Sequence, residues 1–183
     1  MDIKSMRIDG AIKQKKGLHF ILASVILWSA LTVLHTTDLP ILTKNLYTFF
    51  LTAPLVPLAF LISKLIRVDF QNKSNPLTDL GILFSMNQML YLIIAMWIFS
   101  TVPDKMLMVI AIIFGAHLLP YGWLYMSKTY LVLSVFISIF SLIVGLNYEP
   151  YVLGLNMIVI ETIFSIVLWL EVKGLAKKTQ SQS

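Results

Sequence analysis

Six stretches free of charged side chains divide this chain, at residues 17–37, 45–63, 80–103, 106–127, 129–148 and 150–170, the last broken only by Glu161. Each holds 19 to 24 residues, and about 20 helical residues cross a hydrocarbon core about 30 Å thick. Backbone polar groups inside lipid must be satisfied within their own segment, which restricts spanning elements to helices and closed barrels. Barrel strands would alternate apolar and polar residues over about 10 positions, whereas these stretches are continuously apolar. The pattern predicts an all-α polytopic membrane protein, one transmembrane domain over residues 1–183. Its six helices are expected at about 18–37, 45–64, 79–101, 105–127, 129–147 and 150–171.

Composition agrees with that class. Hydrophobic residues make up 58% of the chain and charged residues 13%, about half the charge of a soluble domain. The first stretch is longer than the apolar core of a secretory signal and no A-x-A site follows it, so it is expected to stay as an uncleaved span. There is no cysteine, which excludes disulfides, thiolate nucleophiles and cysteine-held metals.

Basic residues set an expected orientation. With the N-terminus inside, Lys4, Arg7, Lys13, Lys15, Lys16, Lys64, Arg67, Lys73, Lys128, Lys173, Lys177 and Lys178 fall on the inner side and only Lys44 and Lys105 on the outer. Twelve against two, all in short segments, is a positive-inside bias that puts both termini in the cytoplasm. The outer loops pair an acid with a proline (Asp38 with Pro40, Asp104 with Pro103, Glu149 with Pro150), read as solvated turns with proline stopping the helix. The basic first 16 residues suit the anionic inner leaflet, and 177–183 reads as a disordered polar tail.

Polar residues inside the spans are the candidates for function. Counted from the helix ends at 1.5 Å per residue, Glu161, His117, Asn87 and Gln88 fall within about one turn of a common depth near the midplane. Tyr91 shares a face with Asn87, Tyr121 with His117, and Asn156 lies near the face of Glu161 with Ser165 beneath it. One reading makes these residues a cavity for a small polar ligand or a proton, with Glu161 as acceptor and His117 as its partner, directly or through Asn87, Gln88, Tyr91 or water. The other makes them clips between helices, worth about 1 kcal/mol per contact. Pro120, three residues after His117, should kink the fourth span and free a carbonyl near the histidine. Pro54 and Pro57 should act similarly in the second, or serve only packing. In the fifth, Ser134, Ser138, Ser141 and Gly145 form a small-residue stripe for close packing, within the bundle or between protomers of a homo-oligomer.

Catalytic residues are not indicated. His19 and His35 fall at opposite ends of the first helix and read as interfacial residues, too far apart to share a metal with each other. No phosphate-binding Gly-rich loop, H-E-x-x-H pair or G-x-S-x-G elbow occurs. No metal, cofactor or nucleic acid is implied, and membrane lipid is the expected surround. Three functions stay open: proton-linked transport or binding of a small solute, a non-catalytic scaffold or subunit, and an intramembrane lipid-acting enzyme.

Residues 62–145 carry distinctive motifs: Asn75-Pro76-Leu77 opening the third helix, then Gly115-Ala116-His117-Leu118-Leu119-Pro120-Tyr121 with Trp123 and Tyr125 in the fourth. With the ending Glu171-Val172-Lys173, the chain resembles an uncharacterised bacterial family of small integral-membrane proteins. The resemblance implies a bacterial cytoplasmic membrane and no mechanism.

Overall fold

The structure, a computed structural model, describes residues 2–180, with side chains through Lys177. All regular structure among them is helical: α1 (Ile3–Lys13), α2 (Leu18–Thr36), α3 (Ile41–Thr52), α4 (Leu55–Leu65), α5 (Leu77–Thr101), α6 (Met106–His117), α7 (Leu119–Leu124), α8 (Lys128–Asn147) and α9 (Pro150–Gln180). Five helical segments are long and apolar enough to span a membrane, and six when α3 and α4, bent by 40°, count as one span. The protein is thus an all-α, multi-pass membrane type, as its charge-free stretches predict.

Two boundaries differ from the sequence reading. The basic N-terminal segment forms a helix of its own, α1, capped by the Asp2 carboxylate accepting from the Ser5 amide at 2.6 Å. At the other end α9 runs on to Gln180, so the expected polar tail is helical to that point and its last three residues lie outside the described ones. The prolines also act differently. Pro40 caps the start of α3 and Pro150 is the first residue of α9, so both open helices rather than stop them.

Lys15, Lys16 and Gly17 all have positive φ (46°, 51° and 73°), which reverses the chain between α1 and α2. A Cβ on Gly17 would lie 3.1 Å from the Tyr130 hydroxyl, so this turn needs both the backbone freedom and the small size of glycine.

The core is built on α2 and α9, which run antiparallel in a fixed register. Lys16 meets Glu171, Ser24 meets Glu161, and Thr32 meets Gly154. Between these contacts Trp28, Leu31, Met157, Phe164 and Leu168 are buried. A second pair, α6 and α8, closes through small residues. A Cβ on Gly115 would fall 2.7 Å from Ser138 Oγ, and one on Gly145 would fall 2.4 Å from Met108 Cγ. Ser134, Ser141 and Gly145 are buried, Ser138 donates to Ser134 O at 2.8 Å, and Ser141 contacts Met157 Sδ at 3.9 Å. The fifth-span stripe therefore packs inside the bundle.

Each end of the bundle is laced by polar contacts. At the lysine-rich end Gln14 accepts from the Tyr125 hydroxyl at 3.1 Å, Tyr130 donates to Lys16 O at 2.8 Å, and Lys15 bonds Ile66 O. At the other, Asn45 donates to Pro103 O at 2.9 Å and Lys105 to Gly145 O at 2.8 Å.

Candidate functional site

Glu161 sits midway along α9 and is fully buried. Its hydrogen-bonding neighbours come from α2. The Ser24 hydroxyl bonds Oε2, and Trp28 is the second donor near the carboxyl group, short of full hydrogen-bond geometry. Oε1 has no bonded partner, and neither has Ser165 Oγ one turn further along α9. Most hydroxyls in these helices donate back to their own helix, as Thr162 does to Ile158 O at 2.7 Å and Thr32 to Trp28 O at 2.7 Å. Ser165 does not. Among the described residues Glu161 takes part in no ion pair.

Ser24 decides what this arrangement can do. It has one proton and two oxygens in bonding range, Ile21 O at 2.8 Å and Glu161 Oε2. A hydroxyl also accepts. When Ser24 donates to Ile21 O, its lone pair meets Oε2 and suits a protonated carboxyl donating to it. When Ser24 turns to Oε2, it serves a carboxylate and leaves Ile21 O. The pair can hold either protonation state by rotating one hydroxyl.

The sequence places His117 at the depth of Glu161, but the expected polar link is not formed. His117 is at the break between α6 and α7, where Nδ1 donates to Phe114 O at 2.8 Å. Pro120 explains the break. Leu118 N bonds Gly115 O at 3.2 Å, one residue short of the α-helical partner, which releases Phe114 O to the histidine ring. Between His117 and Glu161 lies an aromatic layer, with Phe114 5.6 Å from the His117 ring and 6.3 Å from Trp28, centroid to centroid. From His117 the layer continues through Tyr121 (5.8 Å), Tyr125 (5.9 Å), Tyr130 (6.0 Å) and Phe164 (4.8 Å), each distance measured to the preceding ring. Tyr121 also bonds Ser85 Oγ at 2.6 Å and Gly81 O at 2.8 Å, tying α7 to α5.

The other sequence candidates lie elsewhere. Asn87 donates to the Tyr91 hydroxyl at 2.8 Å on the exposed face of α5, with Gln88 half-buried beside them. Asn156 donates to Val152 O at 2.8 Å and does not reach Glu161. The sequence puts these groups at one depth, but in the structure Asn87, His117 and Asn156 each bond within their own helix and none bonds Glu161. Pro54 sits at the bend between α3 and α4 and Pro57 in the first turn of α4, so the expected kink of the second span is present. His19 and His35 are buried within the bundle rather than turned to the interface. His35 lies 3.3 Å from Thr48 Oγ1, and both ring nitrogens of His19 lack partners beside Phe20 and Phe70.

A polar centre that sequence reasoning missed lies at the lysine-rich end. Glu171 pairs with Lys16 at 2.6 Å, accepts from Ser127 at 2.7 Å, and is bonded by Thr129. Beside it, Asp9 on α1 pairs with Lys13 at 2.8 Å and accepts from Asn72 (3.0 Å) and Asn75 (2.9 Å) of the loop before α5. Burial pushes the Asp9 carboxyl up, but the bonds from Lys13, Asn72 and Asn75 outweigh it and hold its pKa below the usual 3.8. Asn75 also donates to Met6 O at 2.7 Å and accepts from Leu77 N at 3.0 Å, so one side chain clasps α1 and caps α5. The Asn75-Pro76-Leu77 motif thus has a structural reason, and the signal for it was the asparagine before Pro76.

Residues 3–171 match the model of a family described only as a family of unknown function, DUF7010. The chain belongs to DUF7010. The match reaches into every span and includes both polar centres and the clasp of α1, so these features lie within the family region of this DUF7010 protein. No curated protein and no solved structure matches the chain.

Proposed function

We propose that this DUF7010 protein is a proton-linked transport or binding protein of the bacterial cytoplasmic membrane, with Glu161 as the group that takes up and releases the proton. The observation behind this reading is the Glu161–Ser24 pair: a wholly buried carboxyl, one oxygen unpartnered, facing a hydroxyl that can serve either protonation state. A carboxyl near the middle of a span is expensive to keep and marks a proton or ion path by default. The lysine-rich end, with both termini, faces the cytoplasm in this reading.

Two measurements test it. Infrared difference spectra of the protein in lipid should contain a carboxylic C=O band that titrates and disappears in Glu161→Gln. Proteoliposomes carrying a pH gradient should take up protons in a way that Glu161→Gln abolishes while the variant still folds. Proton flux unchanged in that variant would overturn the reading. Reporter fusions at residue 183 and in the 38–44 loop should report opposite sides of the membrane.

A non-catalytic scaffold is the second reading. It is favoured by how locally other polar residues bond: His117 and Asn156 each hold to a carbonyl of their own helix. An intact protein with no proton response and no titrating band would support it.

A further inference from the structure

The α5 helix is the least buried of the five long spans. Only 11% of its apolar window is buried, against 33% to 56% for the other four long spans. The face it turns to the bundle is a narrow stripe of Gly81, Phe84, Gln88, Leu92, Ala95 and Ile98, all buried or half-buried. About 130° around the helix, at 100° per residue, lies a second stripe of Leu83, Asn87, Leu90, Ile94, Trp97 and Thr101, every one exposed. Its spacings are four, three, four, three and four, the heptad pattern of a helix–helix seam.

Within that seam Asn87 is the polar residue at mid-span, 10 residues from the start of a 25-residue helix. Its one recorded bond is from Nδ2 to Tyr91, which leaves the amide oxygen and the second N–H to face outward. Lipid tails supply neither a donor nor an acceptor. An amide contains both, so the group that best completes Asn87 is another amide at the same depth.

We infer that the exposed seam of α5 binds a second copy of this chain in a parallel, two-fold dimer, with Asn87 of each copy bonded to Asn87 of the other. A two-fold axis along the membrane normal brings identical residues together at one depth. A single asparagine in an apolar heptad seam is the feature that fixes both register and the number of strands. The seam has no charged residue to oppose its own copy. The interface uses neither Glu161 nor the stripe of Ser134, Ser138, Ser141 and Gly145, which is occupied inside the bundle.

The absence of cysteine makes the test clean, since each introduced thiol is the only one present. Leu83→Cys, Leu90→Cys and Ile94→Cys, oxidised in proteoliposomes, should each give a disulfide-linked dimer. Val132→Cys and Ile139→Cys, on the exposed face of α8, should stay monomeric. Adding Asn87→Leu should weaken the dimer by about tenfold, while Asn87→Gln, which keeps the amide, should largely restore it. Both substitutions are at an exposed position, so the monomer fold should survive them. Equal crosslinking from α5 and α8, a monomer throughout, or a dimer indifferent to Asn87→Leu would each overturn the inference.

Discussion

The α2–α9 seam and the α5 helix are made of nearly the same residues and do opposite things. Both are long and apolar, yet the α2 span is 56% buried and the α5 span 11%. What separates them is where polar and small residues fall. Along α2 and α9, Lys16, Ser24 and Thr32 meet Glu171, Glu161 and Gly154, one contact near each end and one in the middle. Lipid is as apolar as leucine, so leucines alone give two helices no reason to choose each other. Small and polar residues at matched depths supply that reason. On α5 the polar residues that meet the bundle are few, and Asn87 points away from it.

The sharpest way to break this comparison is to truncate one methionine on each side of it. Met157 is wholly buried in α9 and Met89 is 63% exposed on α5. Met157→Ala should cost about 3 kcal/mol through the cavity it leaves, and Met89→Ala should lie within about 0.5 kcal/mol of the parent. Reversible unfolding in mixed micelles measures both, and similar losses would show that α5 is as deeply packed as α9.

A smaller effect is expected from closing the gap between α2 and α9. A Cβ at Gly154 would fall 2.4 Å from Thr32 Oγ1, while one at Gly174 meets nothing within 4 Å. Gly154→Ala should therefore destabilise by about 2 kcal/mol through overpacking, and Gly174→Ala should leave stability unchanged or raise it slightly. Melting temperatures of the two variants side by side decide it.

Next comes the ion pair at the end of the same seam. Lys16 is nearly buried and Glu171 about one quarter exposed as side chains (6% and 24%), so water screens the pair only in part. Glu171→Ala should cost about 1 to 2 kcal/mol, because it leaves the Lys16 ammonium and two hydroxyls without their acceptor. Adding Lys16→Met should recover part of that loss, and a double-mutant cycle reads the coupling.

The smallest effect is the clasp of α1 on the loop before α5. The Asp9 carboxyl is held below 3.8 in the folded protein. A depressed pKa contributes stability that is present above the unfolded value and is lost as pH falls through the folded one. Lys13 is 44% exposed, which keeps the contribution under about 1 kcal/mol. Protection against hydrogen exchange across 69–78, taken relative to the intrinsic rate at each pH, should be high at neutral pH and fall below about pH 4, and Asp9→Asn should remove that dependence. A pH-independent clasp in the parent would show that the asparagines alone hold the loop.

The sequence by itself determined the class and the positions of the bends. Uncharged runs of membrane length admit only helices, and proline removes the same backbone bond wherever it stands, so Pro54 and Pro120 mark real breaks at α3–α4 and α6–α7. Depth can be counted along a helix, because rise per residue is constant. Direction cannot be read that way. The share of a helix that faces a neighbour depends on its rotation and tilt, and an all-apolar helix has no amphipathic stripe to announce them. That is why Glu161, His117 and Asn87, which the sequence counts to one level, face different ways. Glu161 turns to Ser24 on α2, His117 folds back on Phe114 O, and Asn87 looks outward. The α1 clasp was hidden for a related reason: its partners, Asn72 and Asn75, lie more than 60 residues further along the chain. Only the packed structure could choose among partners the sequence offered at one depth, since in lipid that choice rests on a few polar and small side chains meeting face to face.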